Sequence, residues 1–219
     1  METLTMTHRI IVAGIGPGDS SYLLPKAQNY IENARILVGG RRALADYSNG
    51  RAKECSIGAD IPSVLEFIRT SLSEDDVVVM VSGDPGYYSL LDALRRTFPI
   101  DRIEVVPGIS SLQLAFARLA LPWHGARLLS FHGREPLPAE LTYAPAAVLG
   151  MLTDGKNNSQ TIAVRLLECG WHDEDHMYIC TRLSYEDERI VTTTLGTAVR
   201  EPAVGHGVII VCANEENIE

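Results

Sequence analysis

The sequence predicts an α/β protein of two domains, with a parallel sheet in the first and a mixed sheet in the second. In the first half, short apolar strands alternate with helices, and loops rich in glycine and proline follow several of the strands. In the second half, consecutive strands follow one another without a helix between them, which indicates a mixed or antiparallel sheet. Because the pattern changes near Pro122, we expect domains at residues 1–121 and 122–219.

The elements of the first half follow from apolar runs and helical spacing. A compact apolar run that ends in glycine predicts the first strand at Arg9–Gly14. Apolar residues at helical spacing, with Pro25 in the first turn, predict a helix over Leu23–Asn33. The β-branched run Asp76–Val81 is typical of a central parallel strand, which is apolar on both faces. The other predictions are strands at Ala34–Val38 and Ile103–Val106, and helices at Arg41–Tyr47, Ile61–Ser71, Tyr87–Thr97 and Ile109–Leu121.

The second half predicts five strands and one helix, the helix ended by a glycine cap. The strands are Ala126–His132, Ala146–Leu152, Met177–Leu183, Glu188–Thr194 and Gly207–Ala213, and the helix is Gln160–Gly170. The segment Trp171–His176 has the side chains of a metal site, with two histidines and three acids. We interpret it as a solvated loop, because nothing in the sequence orients a second shell of ligands, and we expect no metal on protein ligands.

Charge and cysteine content exclude several classes of protein. The 219 residues carry a net charge of −9, so nucleic acid and anionic membranes are poor partners. Residues 1–120 hold 12 basic and 14 acidic side chains against 7 and 14 in residues 121–219, so a polyanionic ligand should prefer the first half. Four cysteines without a CxxC pair favour buried, reduced thiols in a cytoplasmic protein. We find no signal peptide and no apolar run of the roughly 20 residues that cross a bilayer.

The loop Gly14–Asp19 (GIGPGD) is similar in spacing to a dinucleotide loop but is poorly suited to pyrophosphate. Pro17 removes a backbone N–H donor, and Asp19 adds a negative charge where phosphates would lie. After the second strand the sequence offers Gly39–Arg42 (GGRR) rather than the acid that binds a ribose. The loop therefore favours a ligand without phosphates, although an NAD-dependent oxidoreductase remains an alternative.

Two further loops follow predicted strands. In Ser82–Gly86, Gly83 lets a ligand approach the backbone, whereas Asp84 could serve only as a turn or cap residue. The loop Val106–Ser111 (VPGISS) could be no more than a helix start capped by serines. Taken singly, neither loop specifies a function.

The three loops in this order, GIGPGD, SGDP and VPGISS, resemble those of the tetrapyrrole methylase family, which are S-adenosylmethionine-dependent methyltransferases. Val38–Arg42 (VGGRR), Ser130–Arg134 (SFHGR) and Leu183–Arg189 (LSYEDER) are similar to the branch that methylates carbon 5 of cobalt-precorrin-7, or its metal-free equivalent, in cobalamin synthesis. One departure is Ser82, which stands where many members have glycine. Other members, which act on diphthine precursors or ribosomal RNA, remain alternatives, as does a silent ligand-binding module.

The resemblance implies two α/β domains with the ligand cleft between them, usually in a homodimer. It also implies the residues that contact S-adenosylmethionine. These are Gly16, Pro17, Ser82, Gly83, Asp84, Tyr87, Ser110, Ser111, Leu152, Thr153 and Leu183. In some relatives a domain that methylates carbon 15 is fused to this one, and because this chain ends after its last strand we expect that partner to be a separate protein.

Substrate residues are predicted from chemistry. Methyl transfer from a sulfonium needs mainly alignment and exclusion of water, so a weak acid or base is sufficient. His132 and Asp84 are the candidates for a chemical role, although a lone histidine is often structural. Carboxylates of the substrate would pair with guanidinium groups, for which Arg41, Arg42 and Arg134 are candidates if they are not merely solvated. Tyr87 and His132 complete the predicted substrate site. Tyr87 and Tyr88 could each stack on the macrocycle or fill the core, and we expect one of each.

Overall fold

The computed structural model describes residues 8–214, which divide into two compact units between Ser110 and Ser111. The division falls earlier than the boundary predicted near Pro122. The reason is the helix Ser111–Arg118, which packs on strands of the second sheet and therefore belongs to the second unit.

The first unit alternates strands and helices, as the sequence predicts. Its elements are β1 (Ile10–Gly14), α1 (Pro25–Asn33), β2 (Ile36–Gly39), α2 (Arg41–Tyr47), β3 (Lys53–Ser56), α3 (Ile61–Ser71), β4 (Val77–Val81), α4 (Leu91–Thr97) and β5 (Ile103–Val106). All strand pairs are parallel, and the order across the sheet is β3-β2-β4-β1-β5.

The core of the first unit explains which loops come together. Strands β1 and β4 are buried along their whole length, and apolar clusters cover both faces of the sheet. Strand β1 pairs with β4 on one side and with β5 on the other. Because parallel strands all end at the same edge, the loops after β1, β4 and β5 are neighbours.

The second unit contains the predicted mixed sheet. Its elements are α5 (Ser111–Arg118), β6 (Arg127–Ser130), α6 (Pro138–Leu141), β7 (Val148–Leu152), α7 (Ser159–Glu168), β8 (His176–Thr181), β9 (Arg189–Thr194), α8 (Leu195–Ala198) and β10 (Gly207–Cys212). The order is β6-β7-β10-β8-β9, in which β6 and β7 are parallel and the other pairs antiparallel. One apolar cluster forms the core of this unit around α7.

Several elements differ from the prediction, including the short helices α6 and α8, which were not predicted. Strand β3 was not predicted, because this edge strand is exposed and its residues are mostly polar, so no apolar run marks it. Helix α4 begins at Leu91 rather than at Tyr87. The residues before it form a turn in which Tyr88 has a φ of +51°, a value that is incompatible with a right-handed helix.

The interpretation of Trp171–His176 as a solvated loop is wrong for two of its residues. The Trp171 ring is buried and its Nε1 donates to the carbonyl of Leu141 at 2.7 Å. The carboxylate of Asp175 is fully buried and accepts the backbone N–H groups of His172 and Asn214, both at 2.8 Å. The segment is therefore a structural connection. Within residues 8–214 no group of three or more potential metal ligands is found, and no helix is long and apolar enough to span a membrane.

Candidate functional site

Three glycines allow the loops after β1, β4 and β5 to pack backbone against backbone. A Cβ atom added to Gly14 would lie 2.6 Å from the carbonyl oxygen of Gly83 and 2.7 Å from the nitrogen of Gly108. A Cβ on Gly108 would also overlap the Gly83 oxygen. No side chain fits at Gly14 or Gly108, so the three predicted motifs meet at one place through their main chains. We call this contact of Gly14, Gly83 and Gly108 the glycine junction.

Hydrogen bonds fix the first two loops against each other. The N–H of Gly83 donates to the carbonyl of Gly16 at 2.9 Å, and the N–H of Ile15 donates to that of Val81 at 3.0 Å. Gly16 and Gly83 have φ values of +77° and +71°, which glycine adopts without steric cost. The structure thus brings together Gly16 and Gly83, two of the residues predicted to contact the ligand.

The half-buried Asp84 carboxylate connects the loop after β4 to the loop after β5. One oxygen accepts the N–H of Gly86 at 2.7 Å, and the other accepts the N–H of Gly108 at 3.0 Å. The first bond is the turn contact that a purely structural aspartate makes. The second reaches across the site, so Asp84 also positions the third loop.

The other predicted residues of the first unit surround this junction. Pro17 is half-buried, Ser82 is exposed, and Ser110 lies where a Cβ on Gly83 would come within 3.4 Å of its Cα. Tyr87 is half-buried and makes an edge-to-face contact with Tyr88, with ring centroids 4.6 Å apart. These side chains lie on the loops that the glycine junction holds together.

Arg41 and Arg42 begin helix α2, directly after Gly39 and Gly40 at the end of β2. Both side chains are exposed, and the Arg42 Nε lies 4.0 Å from the carboxylate of Asp46. Strand β2 pairs with β4, so the two guanidinium groups start from the same edge of the sheet as the glycine junction.

The first loop offers a poor environment for phosphate. The Asp19 side chain accepts the N–H of Ser21 at 2.7 Å, and hydrogen bonds from Ser21 lower the pKa of this carboxyl. Asp19 is therefore anionic near neutral pH and would repel a phosphate, while Pro17 has no N–H to donate. A ligand with a positive charge or an amino-acid portion therefore fits this loop better than a pyrophosphate does.

In the second unit, His132 lies in the loop after β6 and contacts the loop after β7. Its Nδ1 is 3.3 Å from the carbonyl oxygen of Thr153. Because a carbonyl only accepts, the neutral imidazole that makes this bond carries its proton on Nδ1 and has a free lone pair on Nε2. The ring is exposed, and so is Arg134 two residues further along the loop.

Asp154 and Asn157, which are not among the predicted site residues, hold these two loops together. Asp154 accepts the N–H groups of Lys156 and Asn157 on one oxygen and that of Gly133 at 3.0 Å on the other. The Asn157 amide is buried and donates to the carbonyl of Phe131 at 3.1 Å. Backbone hydrogen bonds, chiefly from Asn157 and Gly133, lower the pKa of Asp154 to about 2. An Asp followed by Gly, Lys and Asn is a turn signal that could have pointed to this role.

The remaining predicted residues lie elsewhere in the second unit. Leu152 ends β7, and its carbonyl accepts the N–H of Phe131 at 2.8 Å. Thr153 is buried and exchanges hydrogen bonds with both backbone groups of Gly207. Leu183 is buried in the loop after β8, and Ser111 begins α5. The structure therefore brings His132 and Thr153 together and places Leu183 on a separate loop.

The fold and these loops define a two-unit α/β protein whose first sheet carries three packed glycine-rich loops at its carboxyl edge. The chain belongs to the family of Tetrapyrrole (Corrin/Porphyrin) Methylases, whose family model matches residues 9–199.

Known relatives agree with this assignment. The chain is 32% identical over 183 residues to the cobalt-precorrin-7 C(5)-methyltransferase of Salmonella typhimurium, with 83% of this chain and 88% of the relative covered. It is 29% identical over 195 residues to the probable cobalt-precorrin-7 C(5)-methyltransferase of Methanocaldococcus jannaschii, with 85% and 89% covered. The fold matches the crystal structure of uroporphyrin-III C-methyltransferase from Thermus thermophilus in complex with S-adenosylhomocysteine. The TM-score is 0.74, at 22% identity and with 96% and 94% of the two chains covered.

Proposed function

We propose that the protein is an S-adenosylmethionine-dependent methyltransferase that methylates carbon 5 of cobalt-precorrin-7, or its metal-free equivalent, in cobalamin biosynthesis. The observation that carries this proposal is the similarity to two C(5)-methyltransferases over more than four-fifths of both chains. Both relatives are named for this one activity. The similarity therefore favours this activity over those of relatives that act on diphthine precursors or RNA.

The loops of the first unit fit S-adenosylmethionine. At the glycine junction, main-chain atoms rather than side chains lie at the carboxyl edge of the sheet, so a ligand can approach the backbone closely. The first loop disfavours phosphate groups, and S-adenosylmethionine has none. When bound, the cofactor supplies an activated methyl group on a positively charged sulfonium. We propose contacts from Gly16, Pro17, Ser82, Gly83, Asp84, Tyr87 and Ser110 in the first unit and from Ser111, Leu152, Thr153 and Leu183 in the second.

Asp84 and His132 would have different roles. Both Asp84 oxygens accept backbone N–H groups, so we propose that it holds the loops and favours a cation through its charge, without taking a proton. His132 has a lone pair on Nε2 once its Nδ1–H donates to Thr153, so we propose that it accepts a proton at Nε2. Arg41, Arg42 and Arg134 are exposed guanidinium groups that would pair with substrate carboxylates, and Tyr87 would stack on the macrocycle.

Two titrations test the cofactor assignment. Calorimetry with S-adenosylhomocysteine should detect binding, and fluorescence titration with NADH should detect none. NADH binding without S-adenosylhomocysteine binding would support the oxidoreductase alternative. Cofactor binding without turnover of a cobalt-precorrin mixture would support a silent binding module or a methylase of another substrate.

The assembly is part of the same proposal. We propose, from the family resemblance alone, that the protein forms a homodimer and that a separate protein methylates carbon 15. Light scattering coupled to size-exclusion chromatography should give twice the 24.0 kDa mass of the chain, whereas the mass of a single chain would contradict the homodimer.

A further inference from the structure

We infer that Glu188 is a positioning residue for the cofactor, because it holds the turn Arg182–Ser184 in the conformation that presents the backbone of Leu183. The identity of the ligand rests on the proposed function. The conformation of the turn and the contacts of Glu188 are observed in the structure.

Both neighbours of Leu183 have left-handed backbone conformations. The φ values are +53° at Arg182 and +70° at Ser184, and neither residue is glycine. Residues with side chains keep this conformation only where the surrounding structure enforces it, and such strain is concentrated at functional sites. The Leu183 side chain is buried, so the strained turn has a fixed anchor and its main chain is what remains to contact a ligand.

A backbone hydrogen bond from Tyr185 to Arg182 closes the turn at 3.0 Å, and Glu188 supplies the side-chain contacts that hold it in place. One of its oxygens accepts the N–H of Ser184 at 2.7 Å, and the other accepts the Nε of Arg118 at 2.6 Å. Arg118 lies at the end of α5, which packs on β7 and β10, so the carboxylate ties the turn to the core of the unit. The side chain of Glu188 is only 20% exposed, and the hydrogen bond from Arg118 is the main cause that lowers its pKa.

The adjacent acid makes a contact of a different kind. Asp187 pairs with the Nε of Arg182 at 3.0 Å, but the two side chains are 67% and 55% exposed. An exposed ion pair contributes little to stability. Asp187 accepts no backbone N–H of the turn in any described contact, which makes it a matched control one residue away from Glu188.

The test compares Glu188→Gln with Asp187→Asn in the full-length protein, by calorimetry with S-adenosylhomocysteine and by thermal melting. Glutamine has one acceptor oxygen where the carboxylate has two, so its NH2 group must face either the N–H of Ser184 or the guanidinium of Arg118. We therefore expect the Kd of Glu188→Gln for S-adenosylhomocysteine to rise by about tenfold. The Asp187→Asn variant should stay within about twofold of the wild type. In turnover, Glu188→Gln should raise the KM for S-adenosylmethionine and leave kcat unchanged.

A second variant separates positioning from general stability. Glycine adopts the conformation of Ser184 without strain, so Ser184→Gly should restore part of the affinity that Glu188→Gln loses. Equal Kd values for wild type and Glu188→Gln would overturn the inference. The inference would also be overturned if the loss of affinity were proportional to the fall in melting temperature and were not rescued by Ser184→Gly. Absence of S-adenosylhomocysteine binding to the wild type would instead refute the proposed function, and the inference with it.

Discussion

The carboxylate of Asp84 accepts the backbone N–H of Gly108 at 3.0 Å and so joins the loops that follow β4 and β5. Replacing Asp84 with alanine removes this acceptor and the one that binds Gly86. We expect the free energy of unfolding to fall by about 1–3 kcal/mol, because partly buried donors lose their partners. The affinity for S-adenosylhomocysteine should fall by at least about tenfold, as measured by calorimetry beside chemical denaturation.

An acid in the same unit provides the control. Asp60 is exposed and caps helix α3 by accepting the N–H of Ser63 at 3.2 Å. Asparagine is an equally good cap, so Asp60→Asn should leave both the stability and the Kd near the wild-type values. If Asp84→Ala behaved like this control, the carboxylate would not position the loops.

Gly14 should tolerate no side chain. Alanine there would place its Cβ against the Gly83 oxygen and the Gly108 nitrogen, both of which are backbone atoms that cannot rotate away. We expect Gly14→Ala to lower the free energy of unfolding by more than about 2 kcal/mol and to abolish S-adenosylhomocysteine binding. Within residues 8–214, no heavy atom beyond its chain neighbours lies within 4 Å of a Cβ added to Gly58, so Gly58→Ala should change stability by less than about 1 kcal/mol. Similar stabilities for the two variants would contradict backbone packing at the junction.

His132→Asn tests the proton role without removing the contact to Thr153. The asparagine amide can donate to the Thr153 carbonyl as Nδ1 does, but it offers nothing at the position of Nε2. We expect the variant to bind S-adenosylhomocysteine with the wild-type Kd, and we expect its kcat to fall by a factor of about 10²–10⁴. Full turnover by this variant would show that His132 is structural.

Asp154 should contribute to the stability of the second unit in a pH-dependent manner. Its pKa is about 2 in the folded chain against 3.8 ordinarily, because the folded state stabilises the charged form. The contribution is therefore present above pH 3.8 and is lost as the pH falls towards 2. Melting curves of wild type and Asp154→Asn should differ most near neutral pH and converge in acid. A difference that persists unchanged at pH 2 would exclude this origin.

The sequence predicts most of the fold because the spacing of apolar residues along a segment indicates which of its faces are buried. Strands such as β4 are apolar throughout and are buried throughout, so pattern and structure coincide. Strand β3 is missed because only pairing with β2 defines it, and its residues Lys53–Ser56 are largely exposed. The burial of Asp175 is equally hard to predict, since one of its two partners, the backbone N–H of Asn214, lies 39 residues away in the chain.

The candidate site is predicted unevenly for a related reason. Glycine and proline residues mark the loops of the first unit in the sequence, and the order of these loops along the chain is typical of the family. The contact of Asp84 with Gly108 spans 24 residues, and that of Asp154 with Gly133 spans 21, so neither follows from local spacing. Glu188 belongs to a recognised segment, but its role depends on Arg118, 70 residues away. The roles that could not be predicted from the sequence are therefore those that depend on hydrogen bonds between residues distant in the chain.

The central claim is methylation at carbon 5, and one measurement tests it most directly. The wild-type protein is incubated with cobalt-precorrin-7 and S-adenosylmethionine carrying a ¹³C-labelled methyl group, and the product is examined by mass spectrometry and ¹³C NMR. We predict a product that has gained one labelled methyl group, attached to carbon 5. Label at another ring carbon, or no labelled product from a protein that binds S-adenosylhomocysteine, would contradict the claim.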